Sequence, residues 1–130
     1  VAVPKGHRWW RKTSVGVQDL TDEPFIIREA GSGTRISMEK RLHEFGIVTD
    51  SLNIIAEVGS TTAVKQAIKA NLGISLISER AVEEEINLKL LKKIPIKKVK
   101  FTRTFFIIQD KKRTASPLCK ALIQFLSEQN

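Results

Sequence analysis

The sequence has few of the residues on which disulfides, metal sites and membrane spans depend. Cys119 is the only cysteine, which excludes an internal disulfide and any metal site built from several cysteines. The two histidines, His7 and His43, are far apart in sequence and argue against a zinc site. No apolar run approaches the roughly 18 residues that cross a membrane, and the first residues do not follow a signal-peptide pattern. We therefore expect no metal, no cofactor, no membrane contact and a reducing, cytoplasmic environment.

What the chain does contain is typical of a globular protein. It has 130 residues, of which 42% are hydrophobic. That length suits one domain, or two small lobes that share a core, without help from metals or disulfides. The hydrophobic share argues against disorder. The chain begins with Val1 rather than Met, inside a predicted strand, and we interpret it as a piece of a longer protein.

Positive charge is concentrated in two segments of this chain, whose formal net charge is +8. Residues 1–14 carry four basic and no acidic side chains, and residues 87–113 carry ten basic side chains against Asp110 alone. From residue 87 the second segment alternates lysines with apolar residues, which fits a half-exposed strand edge as well as contact with DNA or an acidic partner. Trp9 and Trp10 lie among the cations of the first segment, where they either pack against a neighbouring lobe or stack on bases.

The pattern of apolar residues predicts alternating strands and helices. Continuous apolar runs predict strands at 1–3, 25–27, 53–58, 74–77 and 104–108, the second of them buried on both faces. Spacings of three and four predict helices through Met38 and Leu42, through Val64 and Ile68, and from Ser116 onward. Short helical segments are predicted at 17–24 and 79–85, and Gly46 and Gly73 are predicted helix ends. This order predicts an α/β sheet of parallel strands with right-handed crossovers.

The segment 25-FIIREAGSGTR-35 is the sharpest local feature. A predicted strand runs into Gly-Ser-Gly-Thr and then a helix, so backbone N–H groups and the helix dipole favour an anion there. Ser32 and Thr34 add hydroxyl groups and Arg35 adds a cation. A P-loop would need lysine after Gly33, and a dinucleotide fingerprint would need glycine in place of Ile36. The hydroxyls therefore either contact a ligand or only cap the helix.

A second polar turn, 59-GSTT-62, follows the next predicted strand. Ligands gather at the carboxyl ends of strands in parallel sheets, so both polar turns are expected at the same edge. Ser60, Thr61 and Thr62 are therefore candidates for a small-ligand cleft. Gln66, one turn further on, is either a ligand contact or an exposed polar residue.

Little in the sequence indicates catalysis, and we expect no enzymatic activity. Ser32 has no evident His and Asp partners, and the tripeptide 31–33 is not a nucleophile elbow. The glutamates at 83–85 form a charge run rather than a carboxylate pair of defined geometry. His43 is expected to be solvated, and Cys119 to pack beside the apolar stripe of the last helix.

Several segments stand together in the order and at the spacing of a known family. They are 1-VAVPKGH-7, 19-DLTDEPFIIREAGSGTR-35, the stretch from Ser60 to Ile77 and the closing helix from Ser116 to Leu126. On these motifs the chain resembles the effector-binding domain of LysR-type transcriptional regulators over nearly its whole length. The family's usual leucine or isoleucine followed by proline after the 74–77 strand is replaced here by Ser78 and Glu79.

The resemblance implies an α/β fold like that of type 2 periplasmic binding proteins, with a small effector held between two subdomains joined by crossing strands. It implies one complete subdomain plus part of the other. Residues 1–19 would be a crossing strand and linker from subdomain I, residues 20–100 subdomain II, and residues 101–130 the return strand and C-terminal helix of subdomain I. The family's N-terminal winged helix-turn-helix DNA-binding domain is not in this chain.

The resemblance also implies the site and the partners. The effector-binding residues carried over by position are Arg28, Glu29, Ser32, Gly33, Thr34, Gln66, Gly73 and Ile74. The effector would be a small polar or anionic metabolite, DNA would be bound through the domain not in this chain, and the whole regulator would be a homodimer or homotetramer. Binding would shift a conformational population without covalent chemistry. Two alternatives stay open: a solute-binding module of a transport system, and a nucleic-acid-binding domain that acts through residues 87–113.

Overall fold

The computed structural model describes residues 1–102, 105–110, 112 and 114–128, and it has a mixed α/β architecture. The strands are β1 (Ala2–Pro4), β2 (Phe25–Arg28), β3 (Ile54–Val58) and β4 (Leu91–Lys93), and the α-helices are α1 (Gly33–His43), α2 (Thr61–Lys69), α3 (Glu83–Asn87) and α4 (Pro117–Glu128). Single 3-10 turns occupy Gln18–Asp22, Thr49–Ser51 and Glu79–Val82. The predicted helical segment 79–85 therefore begins as a 3-10 turn and continues as α3.

Two pairs of strands are joined by a short extended segment. Strands β2 and β3 are parallel, whereas β1 and β4 are antiparallel. Between the pairs, Ile74 forms a parallel bridge to Phe25, and Ser75 forms an antiparallel bridge to Ala2. The buried Ser75 hydroxyl donates to the Ile26 carbonyl at 2.8 Å, which secures the junction. The predicted strand 74–77 is therefore present only as these two bridging residues. The predicted parallel order holds for β2, β3 and Ile74, and the β1–β4 pair adds an antiparallel part.

The hydrophobic core lies on both faces of β2, as the continuous apolar run predicts. Phe25 and Ile27 pack into one cluster with Met38 and Leu42 of α1. Ile26, which points to the opposite face, packs into the other cluster with residues of α2. Burial on two faces holds the carboxyl end of β2, and the turn that follows it, in a fixed position.

Helix α1 ends where the sequence predicts. Gly46 adopts a positive φ of 76°, a conformation that glycine accepts at little cost. The Ile47 N–H then reaches back to the Leu42 carbonyl at 3.1 Å, and the Gly46 N–H to that of His43 at 3.0 Å. This pattern satisfies carbonyls that the end of the helix would otherwise leave unpaired. His43 is exposed, as predicted.

The tryptophan pair packs against the core. Trp9 is only 1% exposed and belongs to the same cluster as Phe25, and Trp10 packs against that cluster from the side. His7 and Arg8 both bond to the buried carboxylate of Glu23, which ties this segment to the start of β2. The packing interpretation of the tryptophans is therefore confirmed over base stacking.

The last part of the described chain differs most from the expectation. Residues 105–110 form no strand, and Phe106 and Ile108 are 81% and 92% exposed. Thr104 lies outside the described residues, so the predicted strand 104–108 is wrong for its described part. Helix α4 forms as predicted, but it buries none of its residues, and Cys119 is exposed rather than packed. An apolar run becomes a strand only when a partner strand pairs with it, and none of the described segments does so here.

Candidate functional site

The site lies at the carboxyl edge of the β2–β3 pair. Strand β2 ends at Arg28 and β3 ends at Val58, and each is followed by a polar turn and a helix. The parallel register places Arg28 directly opposite Val58, and the Glu29 N–H continues the pairing to the Val58 carbonyl at 3.2 Å. The two polar turns therefore share one edge, as predicted.

Arg28 is the central charged group of this edge. Its Nε and Nη2 donate to the two carboxylate oxygens of Glu29, both at 2.7 Å, and its Nη1 donates to Thr61 Oγ1 at 2.9 Å. The Arg28 side chain is 18% exposed and that of Glu29 is 39% exposed. Their hydrogen bonds raise the pKa of Arg28 and lower the pKa of Glu29, so both groups are charged at neutral pH. Arg28 thus links the end of β2 to the start of α2.

Arg35, which the sequence offered as a cation near a ligand, is instead held by protein carboxylates. Its Nε donates to Glu39 at 2.7 Å, and its Nη1 donates to Glu57 at 2.7 Å and to the Arg28 carbonyl at 3.0 Å. Its hydrogen bonds to Glu39, and then to Glu57, raise the pKa of Arg35. With both carboxylates in place, Arg35 fixes α1 against β2 and β3, and its positive charge is engaged within the protein.

The Gly-Ser-Gly-Thr turn is held by its backbone. The Ser32 N–H donates to the Glu29 carbonyl at 2.9 Å, and the Ser32 carbonyl accepts from the Ile36 N–H at 3.0 Å. Ser32 is buried at the N-cap position of α1, but its hydroxyl does not cap the helix. Ser60, in contrast, caps α2 by accepting from the Ala63 N–H at 3.1 Å. The capping interpretation is therefore wrong for the hydroxyl of Ser32, whereas Ser60, a candidate for the ligand cleft, caps its helix.

A small pocket opens beside Arg28. Its volume is about 20 Å³, room for about one water molecule. One wall is polar and the other is apolar, and the residues that line it are Arg28, Thr34, Thr61, Val64, Leu76, Ile77, Ser78 and Ala81. The pocket therefore offers a cation and hydroxyls on one side but is too small to enclose a metabolite.

The second wall of the pocket was missed at the sequence level. Leu76, Ile77 and Ser78 follow the bridging residues Ile74 and Ser75. Because Ile74 forms a parallel bridge to β2, the residues that follow it lie at the same edge of the sheet as Arg28. The parallel order predicted for strands 25–27 and 74–77 already implied that the residues after both strands lie at one edge.

Three of the predicted site residues lie elsewhere. Gln66 is exposed on α2, and it is not among the residues that line the pocket. Ile74 is fully buried in the core. Gly73 is buried against Pro24, whose carbonyl oxygen would lie 2.4 Å from a Cβ atom at that position. The geometry brings Arg28, Glu29, Ser32, Gly33 and Thr34 together, and the effector contacts of all eight residues stay predictions.

The described residues contain no group of three or more His, Cys, Asp or Glu side chains able to hold a metal ion. Nor does this part of the chain include a helix with the length and apolar character of a membrane span.

The architecture around this edge is the fold of LysR-type regulatory domains. The chain superimposes on the regulatory domain of CcmR from Synechocystis PCC6803, solved in complex with 2-PG, with a TM-score of 0.82 and 26% identity, covering 96% of this chain and 59% of that one. The effector-binding domain of QuiR, solved with shikimate, matches in fold with a TM-score of 0.76 and 24% identity, covering 95% of this chain and 56% of that one.

Sequence comparison then places the chain in a family. Residues 1–130 match the LysR substrate binding domain, and the chain belongs to this family. It is 32% identical over 108 residues to the HTH-type transcriptional regulator CbbR of Rhodospirillum rubrum, covering 83% of this chain and 35% of that protein. It is 31% identical over 130 residues to CbbR of Xanthobacter flavus, covering 99% of this chain and 38% of that protein. These relatives are transcriptional regulators, which favours the regulator interpretation over the transport and nucleic-acid alternatives, and the chain spans little more than a third of their length.

Proposed function

We propose that this chain is the ligand-sensing part of a LysR-type transcriptional regulator. It binds a small polar or anionic metabolite at the carboxyl edge of β2 and so controls how the whole regulator binds DNA. Family membership supports this function, and so does the position of a charged arginine at that edge. A regulator that acts on DNA works in the cytoplasm, and the family pattern implies a homodimer or homotetramer.

The observation that carries the proposal is the setting of Arg28. A guanidinium matches the geometry of a carboxylate or phosphate through paired hydrogen bonds. Thr61 holds the third nitrogen, so the group is already oriented before a ligand arrives. Thr34 lines the same pocket as Arg28. The CcmR regulatory domain, which shares this fold, was solved with 2-PG, and the same type of ligand suits Arg28.

The size of the pocket sets the mechanism. A volume of about 20 Å³ cannot enclose a metabolite, whereas binding sites for small molecules bury most of the surface of their ligands. The ligand therefore bridges this edge and a facing surface of the whole regulator. In the closed arrangement, the ligand contacts this edge and the facing surface at once. A ligand that binds this arrangement more tightly shifts the population toward it, and the shift changes the position of the DNA-binding domain. Hydrogen bonds and charge suffice for this step, so the function needs neither a cofactor nor a catalytic group.

The test is a titration of the whole purified regulator, which supplies the facing surface, with 2-PG and with shikimate by calorimetry, together with thermal unfolding. A ligand at about 100 times its Kd stabilises the folded state by about 2.7 kcal/mol. We expect an anionic ligand to raise the melting temperature, and Arg28→Gln to lower its affinity by about tenfold or more.

Lys40→Gln is the matched control, because it removes the same charge from an exposed position on α1. Its affinity should stay within about twofold of the parent protein. Equal affinity of Arg28→Gln and the parent would overturn the placement of the site. The absence of binding by either ligand, together with a panel of small carboxylates and phosphates, would overturn the sensing function.

A further inference from the structure

The two basic segments of the sequence lie side by side in the structure. Strand β1 pairs with β4, and just beyond this pair the Lys5 N–H donates to the Leu90 carbonyl at 3.2 Å. Further along, the Lys97 N–H donates to the Val15 carbonyl at 2.8 Å. The Lys92 ammonium crosses between the segments to the Trp10 and Lys12 carbonyls. Residues 5–12 and 89–100 therefore form one surface, which we call the basic face.

Seven of the ten cations of the basic face are exposed and lack carboxylate partners among the described residues. Its exposed cations without an ion pair in the described part of the chain are Lys5, Arg11, Lys12, Lys89, Lys97, Lys98 and Lys100. Neither segment contains an acidic residue. The nearby carboxylates are already engaged, Glu23 by Arg8 and Glu79 by Lys93. The face therefore presents positive charge that the protein itself does not neutralise.

The fold gives no reason for lysine at two of these positions. Lys89 and Lys98 adopt positive φ angles of 56° and 61°, where asparagine or glycine is less strained. Both side chains are exposed and contact no acidic group among the described residues. Their charge is therefore not engaged in an ion pair within the described part of the chain.

We propose that the basic face contacts the phosphate backbone of DNA when the regulator is bound to its site. This inference rests on the proposed function, because the DNA-binding domain of the same regulator would hold DNA at high local concentration near the face. Seven separate cations along two adjacent segments fit an extended polyanion better than a single small anion. Trp9 is buried and Trp10 packs against the core, so the face has no aromatic platform for bases and reads no sequence.

The test measures binding of the purified protein to a random-sequence DNA duplex of about 30 base pairs. Binding is detected by fluorescence anisotropy of the duplex at salt concentrations between about 50 and 200 mM. We expect weak binding whose affinity falls steeply with salt. The double variant Lys97→Glu/Lys98→Glu should lose about tenfold in affinity at low salt, and its salt slope should fall by about two, one for each phosphate contact removed.

The matched control is Lys40→Glu/Lys120→Glu, which makes the same change in net charge on α1 and α4, outside the segments that form the basic face. It should lose less than about threefold. An equal loss in both double variants, or no binding of the parent protein at low salt, would overturn the proposal. Stronger binding to polyglutamate than to DNA at equal charge would also overturn it, in favour of an acidic protein partner.

A 2-PG titration of the whole regulator carrying the same substitutions separates this proposal from the proposed function. Lys97→Glu/Lys98→Glu should bind the ligand as the parent does, because neither lysine is among the residues lining the pocket. Loss of DNA affinity with intact ligand binding supports both proposals. DNA binding through the basic face without any ligand binding would refute ligand sensing alone.

Discussion

Replacing Gly73 with alanine tests whether this residue serves packing or ligand binding. A Cβ atom there would lie 2.4 Å from the Pro24 carbonyl oxygen and 2.9 Å from its carbon, whereas ordinary contacts begin near 3.4 Å. The backbone must therefore move by about 1 Å, which core overpacking data put at about 1–3 kcal/mol. The same movement strains the 2.8 Å hydrogen bond from the Ile74 N–H to the Pro24 carbonyl, worth about another 1 kcal/mol.

One opposing effect reduces this sum. Alanine restricts the unfolded chain more than glycine does, which stabilises the folded state by about 0.4–1 kcal/mol where the backbone is compatible. The φ of Gly73 is not positive, so this gain applies. We expect a net loss of about 2 kcal/mol in the free energy of unfolding, from overpacking and the strained hydrogen bond less this gain. With a urea m-value of about 2 kcal/mol/M, the unfolding midpoint falls by about 1 M.

The assay is urea unfolding followed by the fluorescence of the buried Trp9. Gly59→Ala is the matched control, since nothing lies within 4 Å of a Cβ atom at that exposed position and its φ is not positive. The control should unfold within about 1 kcal/mol of the parent. If Gly73→Ala is as stable as Gly59→Ala, the packing argument is wrong. Ligand binding would then be the better explanation for glycine at position 73.

Two further predictions concern α2 and its neighbour α3. Ser60→Ala removes the cap on the Ala63 N–H and should lower the free energy of unfolding in urea by about 1 kcal/mol. Thr62→Ala, at the next exposed position, is the control and should cost less than half of that. Equal losses in the two variants would refute the capping role. Hydrogen bonding to Lys65 lowers the pKa of Glu85 below its ordinary value of 4.5. The pair therefore stabilises the folded state fully above pH 4.5, and this stabilisation is lost as the pH falls through the lowered pKa. Glu85→Gln should therefore flatten the stability profile below about pH 5 in urea titrations, and an unchanged acid slope would contradict the pairing.

The sequence predicted the part of the fold that local pattern determines. The apolar run at 25–27 and the residues at helical spacing around Met38 and Ile68 each specify their own element, because burial on a given face follows from spacing alone. The predicted strand 104–108 has the same kind of pattern but lacks a pairing partner among the described segments. Pairing is a long-range property, which composition and spacing do not encode.

In the candidate site, too, the features set by local pattern were predictable and those set by contacts between separate elements were not. That Arg28 and Thr61 meet follows from the parallel order of two strands, each ending in a polar turn, and this much was predictable. That Glu29 turns onto its neighbour Arg28 depends on the side-chain conformations of the two residues, and that Arg35 pairs with Glu57 depends on a contact between separate elements. The two arginines therefore differ in their number of carboxylate partners, one for Arg28 and two for Arg35.

This difference decides which arginine a ligand engages. The Arg28–Glu29 pair is partly exposed, and exposed ion pairs contribute only about 0–1 kcal/mol. An anion that forms paired hydrogen bonds to Arg28 in an enclosed cleft gains more than that, because charge-assisted bonds strengthen as water is excluded. Arg35, held by two carboxylates and the Arg28 carbonyl, would have to lose three partners at once. Under the proposed function, an anionic ligand therefore displaces the single carboxylate of Glu29 from Arg28, while Arg35 keeps its partners.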